Sequence, residues 1–101
     1  MLIEHRIYTT KTEFAHEFPR RYLAEGIPIQ RPVLGDLVAF LVPEVGPQEE
    51  LVVIWRYKDF NDRTARRKEL SEIPDWRAFV ASTAPMVLRH ENRLMRSVAG
   101  L

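Results

Sequence analysis

Hydrophobic and polar positions alternate from the start of the chain. In LIEHRIYTT (2–10), Ile3, His5 and Ile7 fall on one face of an extended segment, and Glu4, Arg6 and Tyr8 fall on the other. This predicts a first strand. The period then changes. Thr12 stands where a helix cap is expected, with Glu13 in the first turn, and Phe14, Phe18 and Tyr22 recur at spacings of four with Leu23 alongside. That predicts a helix with one apolar face, kinked at Pro19 or broken near Phe18 and ended by Gly26. IPIQRPVL (27–34) carries two prolines and is expected to be an ordered, non-helical connection. Two strand-like runs, 37–42 and 51–57, flank PEVGPQEE, which predicts a hairpin with Gly46 and Pro47 at its turn. Asp59 is placed to cap a helix over roughly 60–72. Pro74 and Asp75 open a further short helix whose apolar stripe is Trp76, Phe79 and Val80. Pro85 closes that helix, and 86–96 reads as the last strand.

The order is β-α-β-β-α-β with the second helix split. It predicts an α+β, ferredoxin-like fold with a four-stranded antiparallel sheet, as a single domain over residues 1–101. LVAFLV and LVVIW are apolar at nearly every position rather than at alternate ones, so both faces of these strands are expected to be buried. The helices of a 101-residue chain cover only one face of such a sheet. A second copy, related by a two-fold axis, is the simplest cover for the other. The expected assembly is therefore a homodimer, a dimeric α/β barrel.

Charge narrows the function classes. Fifteen basic and fourteen acidic residues leave a net charge of +1, which argues against binding nucleic acid by phosphate neutralisation. With no cysteine, disulfides, thiolate metal sites and cysteine nucleophiles are excluded. No 18-residue apolar run is present, so no membrane span is expected. The chain opens on a strand-like pattern without a signal-peptide core, so a cytoplasmic protein is expected. No glycine-rich phosphate loop, Ser-His-Asp arrangement or glycosidase-like carboxylate pair is apparent.

The polar residues of the last strand offer the first candidate site. Within MVLRHENRLMRS (86–97), Leu88, His90, Asn92 and Leu94 share one face, and Arg89, Glu91 and Arg93 share the other. This strand is expected to pair antiparallel with the first. Glu4 and Arg6 would then meet Arg89, Glu91 and Arg93 as structural charge pairs. His5 would join His90 and Asn92 on one mainly apolar face. That face is either a small-ligand pocket or, the favoured reading, a place for structural histidines. Two histidines without a carboxylate beside them make a poor metal site, so no metal is expected. Trp55 and Tyr57 share a face of the third strand with Val53, and Tyr22 and Phe18 could roof the same space. This predicts either plain core packing or an aromatic cavity in which the tyrosine hydroxyls orient a planar apolar ligand. In RTARRK (63–68), Asp59 precedes Arg63 by four and Asp62 precedes Arg66 by four, as on a solvated, ion-paired helix face that also carries Arg67.

Three stretches, IEHRIYTTK, VVIWRYKDFNDRTARRKEL and PDWRAFVASTAPMVLRHENRLMR, together resemble the NIPSNAP family over essentially the whole chain. The resemblance implies the ferredoxin-like fold and the dimer. It supplies no mechanism, since the family has no agreed enzymatic reaction. Eukaryotic relatives are linked to mitochondria and vesicle-related roles, and without a targeting segment ahead of the first strand the mitochondrial reading is not carried over. The wider group of dimeric α/β-barrel proteins includes cofactor-independent monooxygenases that oxidise aromatic or polyketide substrates between helices and sheet. Other members bind haem or isomerise small molecules.

The expectation is thus a homodimeric small-molecule binding or interaction module without a cofactor. The alternative is a cofactor-independent monooxygenase or isomerase acting on a small aromatic or apolar substrate. There His5 or His90 would transfer the proton, and Tyr22, Trp55, Tyr57 and Asn92 would position the substrate. A third reading is an adaptor docking through PEVGPQEE and the helix carrying Arg63, Arg66 and Arg67.

Overall fold

β1 (Leu2–Thr10) lies inside the sheet. It pairs antiparallel with β3 (Glu50–Tyr57) on one side and β4 (Val87–Arg96) on the other. β2 (Asp36–Leu41) flanks β3, giving the order β2-β3-β1-β4. This is the expected ferredoxin-like sheet, seen here in a computed structural model that describes residues 1–100. Its other elements are α1 (Glu17–Arg21), a π-helical turn (Tyr22–Gly26), α2 (Ile27–Leu34), α3 (Phe60–Ser71) and α4 (Pro74–Thr83). Short 3-10 turns cover Thr12–Phe14 and Ala84–Met86. Asp59 caps α3 as expected, accepting from the Asp62 amide at 2.8 Å. Pro74 opens α4.

The first helical region departs from expectation. Thr12 caps nothing: the hydroxyl instead reaches the Glu49 carboxylate at 3.5 Å. Pro19 sits in the first turn of α1, where a missing N–H leaves no bond unmade. Gly26 does not end the element, and residues 27–34 are helical. The π-helical turn carries the chain through, because its wider hydrogen-bond ring (Ile27 N–H to Tyr22 C=O) delivers Pro28 to the first turn of α2. Ile27, Gln30 and Leu34 are the buried residues of α2, at helical spacing behind the prolines. Gly35, at φ +89°, ends this stretch.

Gly26 is needed for close approach. A Cβ there would lie 2.9 Å from Cε2 and 3.0 Å from Cζ of Phe79, closer than carbon atoms pack. Gly26→Ala is expected to destabilise the chain by about 1–3 kcal/mol, read as a lower urea midpoint. An unchanged midpoint would mean that the Phe79 ring swings aside without loss.

The helices cover the sheet face that carries Glu4, Tyr8, Leu51, Val53, Trp55 and Tyr57, all buried. Phe18, Leu34 and Leu70 pack there from the helix layer. On β3 the opposite face carries Val52 and Ile54, half-buried between fully buried neighbours. Ile3 and Ile7 of β1 share that outer face, set against Arg56 and Val52 by the register. The helices therefore pack on the more polar side of β1. β4 is an edge strand, exposed from Leu88 to Arg96, and its inner face extends past the helix layer.

Candidate functional site

The register of β1 against β4 decides which polar groups meet. Arg6 pairs with Asn92, Tyr8 with His90 and His5 with Arg93. This overturns the expected faces by one residue. His90 and Asn92 stand on the Glu4, Arg6 and Tyr8 side, not with His5. Glu91 and Arg93 lie on the outer face, where they pair with each other at 3.9 Å. His5 points away from the helices, its Nδ1 buried without a hydrogen-bond partner, and is removed from any site on the inner face.

Glu4 is the centre of the inner face. Its carboxylate is fully buried and accepts from five side chains. Oε1 receives the Tyr57 hydroxyl at 2.8 Å and Nη2 of Arg67. Oε2 receives Nε of Arg63 at 2.7 Å, Nδ2 of Asn92 at 3.1 Å and Nη1 of Arg6 at 3.4 Å. Burial pushes the Glu4 carboxyl up, but the guanidinium of Arg67, with Arg6 and Arg63 behind it, more than offsets this and holds it at about 2. Burial and the neighbouring carboxylate push the Tyr57 hydroxyl up to about 12, so it stays a donor. Arg63 and Arg67 reach this centre because they are one turn apart on α3. The solvated face expected for them is real only for Arg66, which pairs with Asp62 at 2.9 Å.

The network continues along β1. Nε of Arg6 donates to the Tyr8 hydroxyl at 2.9 Å. Burial depresses the Arg6 guanidinium, but Tyr8 and Glu4 reverse that and raise it. The Tyr8 hydroxyl lies 3.4 Å from that of Tyr22, which donates to Oε1 of Gln30 at 2.8 Å. Burial and Tyr8 push the Tyr22 hydroxyl well up, keeping it protonated.

Beside this network a cleft of about 460 Å³ opens between β1 and β4 below and the π-helical turn and α4 above. Arg6, Tyr8 and His90 line it from the sheet and Arg67 from α3, while Tyr22 and Phe79 are among its aromatic walls. Tyr22 meets Phe79 edge-on, with centroids 5.5 Å apart at 85°. Tyr8 stacks on His90 at 5.7 Å and 27°. Burial lowers His90, and Arg6 lowers it further, so the imidazole is neutral at pH 7. A second hollow, of about 530 Å³, lies beyond Gly35. Among its charged groups, Arg56 pairs with Asp36 at 2.6 Å and Arg66 with Asp62.

Of the residues picked from sequence, the cleft takes Tyr22 and His90. Trp55 is fully buried in the core and is not part of the lining. Tyr57 and Asn92 bind Glu4 instead, behind the cleft. Glu4, Arg6, Tyr8 and Arg67 were missed as site residues. The available signal was the spacing of Arg63 and Arg67, which aims two guanidiniums at one point. Among the described residues, no group of three His, Cys, Asp or Glu could hold a metal ion. No described helix is long and apolar enough to cross a membrane.

The same architecture occurs in solved structures. A NIPSNAP family protein of unknown function from Agrobacterium tumefaciens is 34% identical, with a TM-score of 0.88 over 94% of this chain and 86% of that one. An uncharacterised NIPSNAP-like domain protein from Burkholderia xenovorans is 35% identical, with a TM-score of 0.91 over 97% and 85%. A Nitrosomonas europaea protein, a candidate antibiotic biosynthesis monooxygenase by name, shares the fold at a TM-score of 0.73, covering 97% and 99%, but only 12% identity. No curated protein matches the chain. The NIPSNAP family model matches residues 3–100, so the Glu4 network and the cleft both lie within the matched region, and the chain belongs to the NIPSNAP family.

Proposed function

We propose that this chain is a cytoplasmic homodimer that binds a small, mainly apolar molecule in the cleft between β1, β4 and α4. The observation that carries the reading is the cleft itself. It has aromatic walls and a few convergent polar groups held in place by a buried network, the usual makeup of a small-ligand site. The dimer rests on the outer sheet face. Ile3, Ile7, Val52 and Ile54 line up there, and the helices of this chain pack on the other side. A second copy of the same face would bury them.

One observation favours an alternative, a cofactor-independent monooxygenase or isomerase. His90 is neutral at pH 7, lines the cleft and is held against Tyr8. It is the one histidine placed to take a proton from a bound substrate, since His5 faces away. Fold-level likeness to a candidate monooxygenase adds only the architecture.

Native mass spectrometry of the purified protein tests the leading reading. The expected spectrum is a dimer carrying a non-covalent small-molecule mass that is released on collisional activation. A bare monomer would overturn both halves of the proposal.

A further inference from the structure

The charge of the Glu4 network is unbalanced. One carboxylate is shared by three guanidiniums, those of Arg6, Arg63 and Arg67, which leaves a surplus of two positive charges in a largely dehydrated space. Two of the three also line the cleft. The Arg6 and Arg67 side chains are only 13% and 18% exposed, so little water reaches them to screen that surplus. Nε of Arg67 is buried without a hydrogen-bond partner. No aspartate or glutamate is among the residues lining the cleft. His90 is neutral there, and the lining includes a further arginine, Arg89.

From this we infer that the ligand of the cleft is an anion with a planar apolar body, an aromatic or conjugated carboxylate. The carboxylate sits against Arg6 and Arg67, and the body lies against the wall formed by Tyr22, Trp76 and Phe79. The inference rests on the cleft reading above and names its ligand class. A guanidinium fork matches the plane of a carboxylate and offers parallel N–H donors. The cleft lining contains no glycine, so there is no glycine loop of the kind that cradles a phosphate. Glu4 acts here as a positioning residue. It fixes the guanidiniums from behind, so that their remaining donors face the cleft before any ligand arrives.

The probes are 2-naphthoate and its uncharged isostere 2-naphthamide, titrated calorimetrically into the wild-type protein at low ionic strength. The expected result is at least about tenfold tighter binding of the naphthoate, a preference that shrinks as sodium chloride is raised. Arg6→Gln should bring the two affinities towards each other. If that variant does not fold, the wild-type ratio still decides. Equal affinities for acid and amide would overturn the anion inference and leave the apolar cleft standing. Binding of neither would overturn both.

Discussion

Replacing Glu4 by Gln is expected to destabilise the protein by about 3–5 kcal/mol, because it removes the carboxylate shared by three buried guanidiniums. Gln keeps the volume and can still accept hydrogen bonds, so the loss reports charge rather than a cavity. The pH dependence gives an independent reading. The folded carboxyl is held at about 2, against an ordinary value of 4.5. A depressed acid stabilises the fold above its unfolded value, and the contribution disappears as pH falls from about 4.5 to about 2. Here that amounts to about 3 kcal/mol. Urea unfolding of the wild type should therefore show a steep loss of stability between pH 5 and pH 2 that Glu4→Gln lacks. Near-wild-type stability of Glu4→Gln at pH 7 would mean that the arginines relax into solvent and that the network holds nothing in place.

The second large effect concerns the outer face. Ile54 is half-buried on the side of the sheet away from the helices, between His5 of β1 and Ala39 of β2 in the register. Ile54→Glu in an isolated chain places a carboxylate at a half-exposed position of a central strand, a modest change. In a face-to-face dimer it buries two carboxylates in the apolar interface. The expected result is a loss of at least about 100-fold in dimer affinity, about 2.7 kcal/mol, seen by sedimentation velocity as a shift to monomer. Val45→Glu at the hairpin tip, where Val45 is 93% exposed, should leave the dimer intact. An Ile54→Glu protein that sediments as the wild type does would remove this face from the assembly.

Much of the architecture was legible because it is local. Asp59 and Pro74 announce α3 and α4 through chemistry acting within one turn. The alternation of Leu51, Val53 and Trp55 with Val52 and Ile54 follows from strand geometry alone. The prolines of 27–34 concealed a helix, because the device that admits them, the π-helical turn at Tyr22–Gly26, is a hydrogen-bond shift with no composition of its own. The candidate site was less legible because it depends on register. A one-residue difference in how β1 meets β4 sets Tyr8 and Arg6, rather than His5, beside His90 and Asn92. Polarity was misleading too. Glu4 and Arg6 are expected from sequence to pair across strands with Arg89, Glu91 and Arg93, yet they face the helices, and the apolar Ile3 and Ile7 face outward. A carboxylate becomes a core residue only when its partners, here 53 to 88 positions away for Tyr57, Arg63, Arg67 and Asn92, arrive together. No local window contains them all.

The central claim, a ligand site in the cleft between β1, β4 and α4, is tested most directly by amide chemical-shift mapping on the isotopically labelled full chain titrated with 2-naphthoate. The predicted shifts centre on Tyr8, Tyr22, Phe79, Thr83 and His90, with those around Gly35 and along Val52 and Ile54 unmoved. Shifts confined to the outer sheet face or to the hollow beyond Gly35, with the cleft residues still, would contradict it.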